Sequence, residues 1–278
     1  MPDKNIDTYT VEGFGEEWNR FQQTNLSLDE FNEISQRYFH IFPWEKLKDN
    51  AQGFDMGSGS GRFANFVAHK VGKLYCIDAS EKAIEVSKNH LKNHKNCEFI
   101  NATVGDVPLD AEIMDFGYSL GVLHHVPDTL EGIKSCVNLL KPGAPFLIYL
   151  YYSLDNRPIW FRTIWKFSEI FRKTISSLPF SIRKLFTDLI ALFIYLPLAK
   201  TSMLLEKLGI NVNNIPLSSY RKNSFYTMRT DALDRFGTRL EQRFSKNEIQ
   251  EMMTQAGLEK IVFSNEVPYW VALGYKKV

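Results

Sequence analysis

Three groups of residues have the types and spacing for chemistry. The first is Phe54-Asp55-Met56-Gly57-Ser58-Gly59-Ser60-Gly61, where an apolar stretch meets an acid and then glycines at alternate positions. Such a run turns sharply from strand to helix and leaves main-chain N–H groups open to a ligand at the helix start. A dinucleotide fingerprint requires G-x-G-x-x-G; here the third glycine comes one residue early and Arg62 fills the expected place. The second group is a pair of acids. Asp78 closes the apolar run 74–77, 21 residues after Gly57, near the spacing at which doubly wound folds place a carboxylate on ribose hydroxyls. Helix capping is the competing role, but Ser80 stands nearer to the helical run 81–91 and can take it. Asp106 follows the strand-like 97–101, and its competing role is an ordinary Gly-Asp turn. The third group is His124-His125, just past the apolar run ending at Leu120. Histidine titrates near neutral pH and suits a general base; the competing role is a backbone hydrogen bond that shapes the turn.

Alternating strands and helices must position these groups. Helical spacing recurs at Leu28, Phe31, Ile34, Tyr38 and Ile41, behind a Ser27/Glu30 capping box and ahead of Pro43. Further helices are predicted over 81–91, 129–140 and 246–255, the last behind a Ser245/Glu248 capping box. Lys141-Pro142-Gly143 stops the third of these four helices, and Gly257 stops the last. Strands are expected near 74–77, 97–101, 114–120, 146–151, 259–264 and 269–275. This alternation indicates an α/β fold with a parallel sheet.

The order of glycine loop, acid, acid, SLGVLHHVPD and LLKPG across roughly 50–152 resembles the core of the class I S-adenosylmethionine-dependent methyltransferases, in particular the type 11/12-like small-molecule group. The resemblance implies a Rossmann-like, seven-stranded, mostly parallel sheet with an antiparallel last strand. It divides the chain into an N-terminal helical lid (1–50), a core (51–152 and 245–278) and a helical substrate cap inserted after strand five (153–244). It also implies S-adenosylmethionine as cofactor and S-adenosylhomocysteine as product. Asp55 would order the loop and meet the methionine amino end, and Gly57, Ser58, Gly59 and Gly61 would give close backbone approach. Asp78 with Ala79 would hold the ribose, and Asp106 with Val107 the adenine end, beside Leu120. His125, ahead of His124, is the candidate base. No metal site is implied. Ser58 stands where many relatives have Cys, and Ala144 where a second glycine is common.

The segment GFGEEWNRFQQT (13–24) resembles a lead-in that closes over cofactor and substrate, which makes Trp18, Phe21 and Tyr38 pocket candidates; packing on the core is their competing role. Tyr152 is a further candidate. So are Tyr220, Arg221, Tyr226, Arg229, Asp231 and Asp234, in a stretch resembling the post-insertion segment of the same group. The expected reaction is methyl transfer to a small-molecule acceptor, with O, N and C left open. The alternatives are a lipid or lipid-linked acceptor at a membrane surface, a nucleotide-dependent oxidoreductase, and a binder without chemistry.

A net charge of +1 gives no global attraction for nucleic acid. Ser119-Leu120-Gly121-Val122, in place of an Asn/Asp-Pro-Pro-aromatic run, also speaks against methylation of nucleic-acid bases. Cys76, Cys97 and Cys136 are scattered and indicate neither a disulfide framework nor a zinc site. The polar start MPDKNIDTYT reads as no signal peptide, so a cytoplasmic location is expected. Positive charge concentrates in 157–207, with nine Lys/Arg against three acids. This segment reads as a lid with a solvated face, an interfacial helix giving peripheral membrane contact, or a pocket for an anionic substrate. A membrane span is not expected: the apolar run 186–199 contains Asp188 and Pro197 and falls short of the roughly 20 residues required.

Overall fold

The computed structural model describes residues 5–21 and 27–278. The end of the lead-in segment 13–24, Gln22, Gln23 and Thr24, lies outside the described residues. Seven strands form one sheet in the order β3-β2-β1-β4-β5-β7-β6. They are β1 (Gln52–Met56), β2 (Lys73–Asp78), β3 (Cys97–Asn101), β4 (Phe116–Leu120), β5 (Pro145–Tyr149), β6 (Leu258–Phe263) and β7 (Val271–Lys276). The first five run parallel, and β7 is antiparallel to both neighbours. Helices α1 (Thr8–Arg20), α2 (Leu28–Phe39), α3 (Arg62–Ala68), α4 (Glu81–His90), α5 (Thr129–Leu139) and α10 (Lys246–Gln255) accompany the sheet. Helices α6 (Ile159–Ser176), α7 (Phe180–Ile190), α8 (Leu196–Lys207) and α9 (Phe225–Gly237) belong to the insertion.

The central strands β1 and β4 are buried along almost their whole length, whereas the edge strands β3 and β6 are half-buried or exposed at nearly every position. Small and large residues interlock across β1 and β4. A Cβ on Gly53 would lie 2.3 Å from the Phe116 ring, and one on Gly117 would lie 2.2 Å from the Phe54 ring.

Two compact units result: Met1–Thr24, Asn32–Ser153 and Leu240–Val278 in one, Asn25–Phe31 and Leu154–Arg239 in the other. The insertion therefore ends at 239 rather than 244. Residues 240–244 run along the core, where Gln242 N–H donates to the His124 carbonyl (3.0 Å) and Phe244 N–H to the Tyr151 carbonyl (2.9 Å). Most of the N-terminal segment likewise counts with the core. Phe39 of α2 packs on Phe42, Phe66 and Tyr118.

In the second unit, α7 passes through a π-turn at Ala191–Tyr195 into α8, giving one helical run over Phe180–Lys207. The expected interruption at Pro197 is absent. Leu196 N–H reaches back to the Ala191 carbonyl, and Pro197 then sits in the first turn of α8, where its missing N–H costs least. At 28 residues the run is long and apolar enough to cross a membrane by length and composition. The capping box expected at α2 is half formed. Ser27 Oγ accepts from Glu30 N–H, but the Glu30 carboxylate accepts from Ser224 N–H and the Thr227 hydroxyl.

Candidate functional site

From β1 the chain winds outward through β2 and β3; from β4 it winds the other way through β5. Such a reversal leaves a crevice at the carboxyl ends of the two central strands. The glycine loop follows β1 and the histidine pair follows β4, so both open onto it. Gly57 N–H and Ser58 N–H donate to the Ile77 carbonyl (2.7 and 3.0 Å), and Gly59 N–H donates to Asp78 Oδ2 (2.9 Å). The glycines make room for three different neighbours. A Cβ on Gly57, at φ +81°, would lie 2.3 Å from Val122 in the loop after β4. One on Gly59 would lie 3.0 Å from the Trp18 indole of α1, and one on Gly61 would lie 2.6 Å from Ser87 Oγ of α4. Gly61 therefore serves helix packing, while Gly57 and Gly59 let the loop after β4 and helix α1 close onto the glycine loop.

Ser80 caps α4, as the sequence suggests, and Asp78 accepts its N–H at 2.8 Å. Burial raises the Asp78 pKa, and the two N–H bonds from Ser80 and Gly59 oppose that rise. Asp55 departs from expectation. Its place in the register lies between Cys76 on β2 and Tyr118 on β4, and it is 2% exposed. It is thus enclosed at the end of β1 rather than open to the crevice surface. Burial above all pushes its carboxyl up to about 8; Tyr118, the next largest influence, opposes the rise, and the Asp78 charge adds to it. Its Oδ2 has no hydrogen-bond partner. Asp106 is exposed beyond β3, with Val107 half-buried against the core; Ala79 is half-buried and Leu120 buried at the end of β4.

The two histidines differ in what their rings can do. His124 Nδ1 accepts from Tyr151 N–H (3.3 Å), so the proton of the neutral ring sits on Nε2. Burial, then His125 and Arg243, hold its pKa well below the usual value. With one nitrogen bonded as acceptor and the other protonated, His124 has no lone pair for a base, and that expectation is corrected. His125 Nδ1 lies 2.6 Å from the Leu240 carbonyl. A carbonyl only accepts, so the proton is assigned to Nδ1 and the lone pair to Nε2.

Helix α1 ties the two loops together. Phe14 lies 4.9 Å from the His125 ring, and Trp18 lies against Gly59. These residues are four apart, hence on one helix face and about 6 Å apart along the axis. Between them Gly15 lets the helix rest on the β2–α4 turn, since a Cβ there would lie 2.6 Å from Ser80 Oγ.

The sequence reading missed several neighbours. Tyr151, not Tyr152, stacks on His124 at 3.9 Å; Tyr152 turns to the other face, against Tyr269. Strand alternation from Tyr149 carries that signal. Arg243 lies 5.0 Å over the Tyr151 ring and bonds Glu241 at 2.8 Å; both were hidden because 240–244 read as insertion. Of the three lead-in aromatics only Trp18 reaches the glycine loop. Phe21 is buried under Arg20, and Tyr38 packs edge-on to Phe63 and Tyr149.

In the second unit, Arg221 is bonded to Glu206 and Arg229 is bidentate to Asp188, so both arginines hold helices together rather than face a substrate. Tyr220 packs on Tyr195. Tyr226, Asp231 and Asp234 are half-buried on α9.

Ser58 Oγ and His124 Nε2 are buried without hydrogen-bond partners at the carboxyl ends of β1 and β4. Buried polar atoms are ordinarily satisfied, so the site suits a polar ligand.

Residues 54–148 match the family model described as a methyltransferase domain. The chain is 32% identical over 104 residues to a ubiquinone biosynthesis O-methyltransferase of Coxiella burnetii, covering 37% of this chain and 43% of that protein. It is 31% identical over 107 residues to the Vibrio vulnificus protein of the same name, covering 38% and 44%. The chain thus spans less than half the length of these curated relatives. A methyltransferase in complex with the Haloferax volcanii Trm112 methyltransferase activator has the same fold, with TM-score 0.54, 11% identity and coverage of 94% and 98%.

Proposed function

We propose, from the premise that residues 54–148 are a class I S-adenosylmethionine-dependent methyltransferase domain, that this chain methylates a hydroxyl of a small apolar or aromatic molecule, with His125 as the base. The observation that carries the reading is the His125 Nδ1–Leu240 bond, which assigns the lone pair to Nε2 beneath the same helix that lies on Gly59. Phe14 and Tyr151 beside the histidines suit an aromatic acceptor, and the relatives named above are O-methyltransferases of ubiquinone biosynthesis.

When bound, S-adenosylmethionine supplies an electrophilic methyl group on a sulfonium. The protein then has to align the acceptor oxygen and take its proton. Gly57, Ser58 and Gly59 present backbone to the cofactor. Each Asp78 oxygen accepts one backbone N–H and retains a lone pair for a ribose hydroxyl. Asp106 and Val107 lie beyond β3 for the adenine end. His125 Nε2 takes the hydroxyl proton, and the Leu240 carbonyl steadies the imidazolium through Nδ1. The methyltransferase match sets the oxidoreductase alternative aside. Three free cysteines suit a reducing compartment such as the cytoplasm.

Calorimetric titration with S-adenosylhomocysteine, with NADH in parallel, tests the cofactor, and transfer of labelled methyl to hydroxylated aromatics tests the reaction. Asp78→Ala weakens S-adenosylhomocysteine binding by about 1–3 kcal/mol; unchanged affinity in a folded variant removes the ribose assignment. Gly57→Ala, strained at positive φ and driven into Val122, weakens it roughly tenfold or more. Gly61→Ala acts mainly on the melting temperature, because its Cβ meets α4. If both variants lose ligand equally, that division of roles is wrong. A lipid or lipid-linked acceptor is the second reading, favoured by the apolar surface of the second unit.

A further inference from the structure

Helices α6 and α7–α8 of the second unit turn most of their large apolar side chains outward. On α6 the inward face mixes Trp165 and Ile175 with Ser168, Glu169 and Arg172, whereas Trp160, Ile164, Phe167 and Phe171 are 49–64% exposed. The α7–α8 run repeats the pattern. Thr187, Ala191, Ala199 and Ser202 are fully enclosed, while Leu185, Phe186, Leu189 and Phe193 are 40–69% exposed. Single exposed apolar residues are ordinary, but contiguous stripes mark a binding surface.

Charge identifies what covers them. All three acids of 157–207 are engaged: Glu169 with Arg172 and Arg235, Asp188 with Arg229, and Glu206 with Arg221. Arg172 and Arg183 turn inward onto the Thr238 and Gly237 carbonyls. Arg162, Lys166, Lys173, Lys184, Lys200 and Lys207 are exposed, and none has an ion-pair partner among the described residues. An apolar stripe bordered by unpaired cations matches a layer that is anionic at its surface and apolar beneath. A second copy of the same face would instead bring like charges together.

We infer that the outward faces of α6 and α7–α8 seat the second unit on an anionic lipid surface, with both helices lying in the plane of the interface. Crossing the bilayer is opposed by the packing of the unit: to span, α7 would have to leave α9 and separate Asp188 from Arg229. The inference rests on the second unit alone and is independent of the reaction proposed above.

Co-sedimentation of the full chain with phosphatidylcholine vesicles, with and without phosphatidylglycerol, at low salt tests it. Binding to the anionic vesicles is expected, with release as salt rises. Phe167→Asp combined with Phe171→Asp abolishes that binding. Lys166→Gln combined with Lys173→Gln lowers the partition coefficient roughly thirtyfold. All four positions are exposed, and unchanged S-adenosylhomocysteine affinity and circular dichroism establish that the variants are folded. The inference is overturned if the wild type does not sediment with anionic vesicles, if the variants bind as well as the wild type, or if the protein resists extraction at alkaline pH as a spanning helix does. A vesicle-free dimer that the Phe167/Phe171 substitutions dissolve would overturn it in favour of a second copy. If vesicles bind but S-adenosylhomocysteine does not, the reaction proposed above fails and this inference stands.

Discussion

His125→Ala lowers turnover by roughly 10²- to 10⁴-fold, the usual contribution of a positioned general base, and leaves S-adenosylhomocysteine affinity close to that of the wild type. The contrast follows from the tautomer. His125 has its proton committed to the Leu240 carbonyl and its lone pair on Nε2, whereas His124 accepts from Tyr151 N–H and is held neutral by burial. His124→Ala accordingly acts on stability, because it removes the ring that stacks on Tyr151. The decisive readout is the pH–rate profile, since loss of the base removes the acidic limb in His125→Ala and not in His124→Ala. Turnover that survives in His125→Ala with an unchanged profile would mean an acceptor that needs no base, such as a free amine.

Asp55→Asn stabilises the protein increasingly as pH rises. The Asp55 carboxyl, ordinarily at 3.8, is raised to about 8 by burial. Between those values the folded state keeps a proton that the unfolded chain has lost, so wild-type stability falls as pH rises through that window. Asparagine resembles the protonated acid and carries no such penalty. At 1.36 kcal/mol per pH unit, the window sets a ceiling of roughly 6 kcal/mol at pH 8, and relaxation around the site brings the measured gain to a fraction of it. Urea unfolding at pH 5 and pH 8 tests this; a gain that does not grow between the two would show that Asp55 ionises normally. The same variant tests the cofactor role suggested by the resemblance. A carboxyl that stays enclosed leaves S-adenosylhomocysteine affinity unaltered when replaced, whereas one that meets the ligand's amino group lowers it.

The sheet was legible because its determinants are local. Apolar runs such as 74–77, the stop at Lys141-Pro142-Gly143 and the Ser80 cap each act within a few residues, and all appear near the expected places. The glycine loop was legible for the same reason. The histidine surroundings were not, because they are assembled from α1, β5 and residues 240–243, far apart in sequence. Tyr151 and Tyr152 differ only in strand phase, which a tyrosine-rich run leaves ambiguous. Arg221 and Arg229 look like substrate ligands until Glu206 and Asp188, 15 and 41 residues away, neutralise them. Pro197 looks like a break until the π-turn at Ala191–Tyr195 accommodates it.

The chain enters and leaves its insertion through segments that already hold each other. Tyr152 bridges Phe244, and Ser153 N–H donates to the Phe244 carbonyl at 2.9 Å, immediately outside Leu154–Arg239. The sheet, the glycine loop and both histidines lie entirely on the near side of that junction. In evolutionary terms this is a splice point. A lineage can lengthen, shorten or exchange what lies between 154 and 239 while inheriting the sheet and both loops; only the segment 27–31, where Glu30 accepts from Ser224 and Thr227, has to change with it.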